Sequence, residues 1–225
     1  MSWLQAIILQ AFVDGCDYFY QWSDDFQWLT QSWARYLVTA LEEDMSLGGG
    51  GANDGYLMQL GFSGRHHVNA VGAFWGPRMK NWFADNFFQD MYRPPSDVGR
   101  ELEGEELERS KYSLTKHHTS VHIKDSAQLG RRYNVCNHHR VQWEEVARMR
   151  RRFRDYLKSL NDAKYEWYLQ WAELAVIDGM RNVNLVPGEP YPNQRSDTCP
   201  RYPNYKSIED LYEPTRELDA PWRDA

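Results

Sequence analysis

Apolar positions in this chain recur mainly at helical spacing. The longest such run lies at 141–181, where Val146, Met149, Phe153, Leu157, Leu160, Tyr168, Trp171 and Ala175 fall on one side of a helix. Steps of three and four over several turns predict an amphipathic helix. Unbroken, it would span roughly 60 Å at ~1.5 Å per residue, wider than an ordinary compact domain. One helix or a helical hairpin over 140–182 fits the pattern, and its oily side needs a partner from this chain or another.

Three further helices are expected. Residues 3–13, Trp-Leu-Gln-Ala-Ile-Ile-Leu-Gln-Ala-Phe-Val, form the most apolar stretch. As a helix they reach only ~16 Å, half a bilayer core, so they suit a core, a partner groove or a membrane interface. Ser23 as N-cap, followed by Asp24 and Asp25, opens a helix through Phe26, Leu29, Trp33, Tyr36, Leu37, Ala40 and Leu41 to about Glu43. Pro77 in a first turn opens another, through Trp82, Phe83, Phe87 and Phe88 to about Tyr92, and Pro94-Pro95 ends it.

Between these elements the pattern breaks. Gly48–Gly51 reads as a flexible break; no Gly-Lys-Ser/Thr follows it, which speaks against a phosphate loop. The acidic run at 101–108 reads as a solvated connection, and 112–124, with Thr, Val and Ile, as a short strand or extended segment. After Asn182 the chain changes: seven of its ten prolines lie between Pro187 and Pro221, among Tyr191, Tyr202, Tyr205, Tyr212 and Trp222. Proline prevents regular structure, so this tail is read as extended, with one short helix at 207–212. The resulting class is mainly α, with long amphipathic helices, irregular segments and a Pro/Tyr-rich tail. Its expected divisions are 1–45, 46–96, 97–139, 140–182 and 183–225.

Composition shifts the emphasis from chemistry to contact. Aromatics make up 15% of the 225 residues, with 10 Trp and 14 Tyr. Such side chains are enriched in interfaces and at membrane–water boundaries, and they also serve as core. Trp3, Trp33, Tyr36, Trp167, Trp171, Tyr202, Tyr205 and Trp222 are the candidate interface residues. The net charge of −6 disfavours nucleic acid. Cys16, Cys136 and Cys199 form no CxxC, which argues against a disulfide framework or a zinc knuckle. No Asn-X-Ser/Thr sequon and no basic n-region are present, so a secretory route is not expected. No run reaches the ~18 apolar residues of a membrane span.

Two constellations carry candidate chemistry. Arg148, Arg150, Arg151, Arg152 and Arg154 surround Phe153. They could meet lipid head groups or an acidic partner, or form a charged helix face with Glu144 and Asp155 at four-residue spacing. His118 and His122 share a face as helix or strand, with Asp125 near, and are the alternative site for a divalent metal. No HExxH is present. Gly61-Phe-Ser63-Gly64 is not a nucleophile elbow, and Cys136 beside His138 is weak support for a thiolate pair.

The apolar N-terminal element, aromatic amphipathic helices and proline–tyrosine tail resemble, in texture, accessory subunits of large organellar membrane complexes. That resemblance implies a non-catalytic structural subunit of a membrane-associated assembly, first a mitochondrial respiratory complex or ATP synthase. It would sit peripheral to the inner membrane, with several protein partners, no cofactor and at most bound phospholipid. A soluble metal-dependent enzyme using the histidines and a virion structural protein are the alternatives.

Overall fold

In the computed structural model the described residues are 3–21, 26–53, 58–76, 84–96, 98–118, 123–125 and 136–185. About 62% of the interpretable structure is helical, beside a small mixed four-stranded sheet, so the chain is mainly α. Helix α1, Trp3–Val13, covers the apolar run at 3–13. It stops where Gly15 takes φ 92. There Gly15 N–H donates to Phe12 O (3.1 Å) and Cys16 N–H to Ala11 O (3.0 Å), the paired bonds of a Schellman end.

The expected helix over 26–43 divides. Phe26–Trp28 is strand β2, following β1 at Tyr18–Tyr20, and helix α2 begins only at Trp33 and runs to Glu42. Ser32, at φ 58, precedes α2; Ser23, the expected cap, lies outside the described residues. The cause of the division is a distant partner. β2 pairs antiparallel with β6, Ile123–Asp125, and local periodicity carries no record of it. Leu37 and Leu41 of α2 pack on Phe62.

Gly48–Gly51, expected to be a loose break, supplies most of a strand. β3, Gly49–Asn53, lies between β4, Met58–Gly64, and β5, Thr115–His118, in the order β1-β4-β3-β5. β3 runs antiparallel to β4 and parallel to β5, with Gly49 opposite Thr115. Glycine is required here by close approach. Helix α4, Ala84–Tyr92, lays Phe88 and Tyr92 on this sheet. A Cβ at Gly49 would come 2.7 Å from the Tyr92 ring, and one at Gly61 would run into Phe88. α4 starts at Ala84 among the described residues; 77–83 of the expected helix lie outside them.

Helix α3, Arg65–Val71, leads into a loop at 72–76 that is buried except at Gly72. Buried loops strand backbone polar groups. Here side chains take the carbonyls: Arg152 donates to Val71 O (2.9 Å), His67 to Phe74 O (2.7 Å) and Gln5 to Trp75 O (3.1 Å). The acidic run forms helix α5, Gly104–Lys111, with Glu105 and Glu106 in its first turn and Arg109 and Lys111 in its last, as the helix dipole favours.

The 141–181 stripe is a hairpin rather than one helix. α6, Cys136–Leu160, ends at Asn161 (φ 45), and α7, Glu166–Leu185, follows a short 3₁₀ turn at Ala163–Tyr165. Asn tolerates the left-handed conformation. Asp162 caps the turn by accepting from Lys164 N (3.0 Å). The two signals fall between apolar positions whose helical phase continues across the break, which is why periodicity alone reads through it. No helix among the described residues is long and apolar enough to cross a membrane.

Candidate functional site

One charged residue of α6, Arg150, reaches the end of α4. An α-helix leaves its last four carbonyls without intrahelical partners, and α4 ends inside the protein. Thr115 Oγ1 donates to Gln89 O (3.2 Å) and Leu114 N–H to Tyr92 O (2.9 Å). The remaining two are met by one side chain: Arg150 gives Nη2–H to Asp90 O (2.6 Å) and Nε–H to Met91 O (3.2 Å). Its Nη1 donates to Ala175 O (2.9 Å) and to the Asp178 carboxylate on α7. Four bonds nearly exhaust the five N–H groups of a guanidinium. Arg150 is 1% exposed, and a positive charge at a helix C-terminus is favourable. Burial pulls its pKa down and Asp178 opposes that.

Around this pair lies a wider ionic layer. Asp178 also accepts from Arg93 Nη2 (3.1 Å) and Asn182 Nδ2 (2.9 Å). The Arg93 guanidinium lies 4.9 Å from the Trp143 ring centre, in reach of a cation–π contact. Gln142 Nε2 donates to the Asp90 carboxylate. Burial pushes Asp90 up to about 6, against the pull of Arg93 and Arg150. Arg148 Nη1 meets Glu145 Oε1 at 2.8 Å with both side chains buried. In chemical terms the layer holds and neutralises charge, and Asp90 is a carboxyl able to exchange a proton near neutrality.

A second cluster sits on the sheet side. His67 is fully buried, with Nε2 2.7 Å from Phe74 O and Nδ1 2.6 Å from the Tyr92 hydroxyl. A carbonyl can only accept, so Nε2 carries the hydrogen and the Tyr92 O–H donates to Nδ1. Burial lowers the His67 pKa to about 4. Its neighbour His66 places Nδ1 2.6 Å from the Tyr156 hydroxyl; burial, then Lys164, lowers its pKa. In a third cluster Asp44, 1% exposed, accepts from Tyr112 Oη (2.7 Å) and Tyr168 Oη (3.3 Å) and forms an ion pair with Lys116 Nζ (2.6 Å). Burial first, and Asp44 next, push both tyrosines up to about 12.

The sequence-predicted residues scatter over these sites. Of the five arginines, Arg148 and Arg150 point inward. Arg151, Arg152 and Arg154 are half-buried; Arg151 and Arg154 pair with Asp155, and Arg152 with Val71 O. Trp33 stacks on Trp28 with ring centres 3.8 Å apart, and Tyr36 is 43% exposed. Trp167 meets Tyr112 edge-on at 4.9 Å. Trp171 is buried, its indole N–H donating to Tyr112 O (2.9 Å). The side chains of Trp3 and His118, and all of His122, Tyr202, Tyr205 and Trp222, lie outside the described residues. Among the described residues no group of three His, Cys, Asp or Glu is placed to hold a metal.

Asp44, Asp90 and Asp178 were not singled out by sequence reasoning. Carboxylates 68, 52 and 28 residues from their side-chain partners give no local signal. No family model, no curated protein and no solved structure matches the chain.

Proposed function

We propose that the chain is a non-catalytic, mainly helical component of a larger protein assembly, peripheral to a membrane, with a mitochondrial energy-converting complex as its first candidate host. One observation carries this reading. α1 is the most apolar element and holds no charged residue, yet Ala6, Ile7, Gln10 and Val13 make an outward stripe, with Ile7 55% and Val13 61% exposed. Water does not favour such a face. The opposite side of α1 is spent on Ile8 and on the Gln5 bond to Trp75. The ionic and tyrosine clusters support the same reading, because their charges are consumed in holding helices together.

Purification of the native protein in mild detergent tests it. The expected result is a particle well above 26.6 kDa with stoichiometric companions. The paired substitution Ile7→Asp, Val13→Asp is expected to strip those companions while leaving helical content unchanged. A monodisperse monomer with no companion would overturn the reading.

A further inference from the structure

We propose that α3 and the loop at 72–76 form an acid-released latch: proton uptake by His67 puts an uncompensated charge in an apolar site and so favours an open form, in which the ring reaches water and the apolar loop is exposed. The geometry leaves the ring one neutral arrangement. Nε2–H is committed to Phe74 O and Nδ1 to the Tyr92 O–H. A second proton must go on Nδ1, which turns the bond to Tyr92 round: the hydroxyl oxygen then accepts, and its own hydrogen loses its acceptor on a tyrosine that is fully buried, with its ring against Gly49 and packed edge-on with Phe153. The Phe74 carbonyl still favours the charged form, but among the described residues facing the ring no carboxylate offsets its burial. From α4 the ring is faced by Tyr92 and Phe88, from the loop by Phe74. On its own helix, Arg65 is turned onto the end of α1, bonding Phe12 O and Cys16 O, and His66 onto Tyr156 of α6, beside Lys164.

Opening is the way out, and it is local. The loop carries Ala73, Phe74 and Trp75, each at most 3% exposed, and Trp75 O is the anchor for Gln5 of α1. Release at His67 therefore uncovers large apolar side chains and loosens α1. The low folded-state pKa of His67 supports this. A histidine held neutral stabilises the closed form above its unfolded pKa, and that stabilisation is lost as pH falls from about 6.5 towards 4. The device stands whichever partner the chain docks on.

The test is histidine side-chain NMR with amide exchange on the full chain from pH 7.5 to 4.5. His67 is expected to stay in the Nε2–H tautomer to below pH 5. Amide exchange within 65–76, corrected for its intrinsic rate, is expected to accelerate about tenfold per pH unit while α6 and α7 stay protected. His67→Gln, which can still donate to Phe74 O, should abolish the acceleration. A folded His67→Gln that keeps it, or His67 titrating near 6.5 with flat exchange, overturns the latch. Should His67→Gln not fold, the wild type decides: acceleration confined to 65–76 supports the latch, and uniform acceleration through every helix overturns it.

Discussion

The two faces of α4 are buried by opposite means. On the sheet face Phe88 and Tyr92, one turn apart, press on Gly49 and Gly61. Contact there is made by side chains the strands lack. On the hairpin face Asp90 and the helix-end carbonyls meet Arg150, Gln142 and, beyond them, Asp178. Contact there is made by charge that must be matched atom for atom. The first face depends on room and the second on pairing, so the two should fail in different ways.

The largest effect should come from breaking the pairing. Asp178→Ala leaves Arg150 buried without its counter-charge, a change that typically costs about 3–5 kcal/mol. Chemical denaturation is expected to show it. Replacing both partners by apolar residues is often neutral. Arg150→Met with Asp178→Leu should not be, because Asp90 O and Met91 O then lose their donor inside the protein. The double variant is expected to stay about 2 kcal/mol or more below the wild type, the cost of orphaned buried acceptors. Full recovery would mean that Arg150 acts as an ion-pair partner and not as the cap of α4.

The same contrast explains what could be read beforehand. α1 matches the apolar run at 3–13 because its signal is local: composition, then Gly15 to stop it. The hairpin stripe was legible in phase, and its turn was written at Asn161-Asp162 in residues that carry no hydrophobicity. β2 and β3 were not legible. Phe26–Trp28 is a strand because of Ile123–Asp125, and the glycine run at 48–51 looks like slack until an aromatic helix closes on Gly49. Arg150 was visible as charge, but whether it faces lipid or a helix end depends on α4 and α7, 59 and 28 residues away. Long-range partners are the part that a one-dimensional pattern omits.

Room can be tested without touching charge. Gly61→Ala pushes a methyl into Phe88, whose ring is already packed by Phe74 at 4.8 Å and His67 at 4.9 Å. Overpacking of this kind costs about 1–3 kcal/mol, and the loss should be the same at pH 5 and pH 8. Asp90→Asn should behave otherwise. The folded-state pKa of Asp90 is raised to about 6, so its contribution is favourable below pH 4 and is lost as pH rises through 6. The amide removes that loss. A gain on the order of 2 kcal/mol at pH 8, shrinking to nothing near pH 4, is the expected denaturation profile.

The smallest effect should fall on the Asp44 cluster, which mixes the two means. Its carboxylate has three partners, and Tyr112 gives it both a ring under Lys116, 5.6 Å from Nζ, and a hydroxyl. Tyr112→Phe keeps the ring, so the packing on Trp167 survives, and deletes one donor. Tyr168 and Lys116 remain on Asp44, so the carboxylate is not orphaned and the loss should be about 1 kcal/mol. Tyr168 supplies the control readout. Asp44 helps push its pKa up to about 12; with Tyr112 gone from the carboxylate, Tyr168 remains its one phenolic partner. Its ultraviolet titration should stay well above 10, because burial, the larger cause, is untouched. Titration at the ordinary tyrosine value would mean that the cluster had opened, and that a single hydroxyl held it closed.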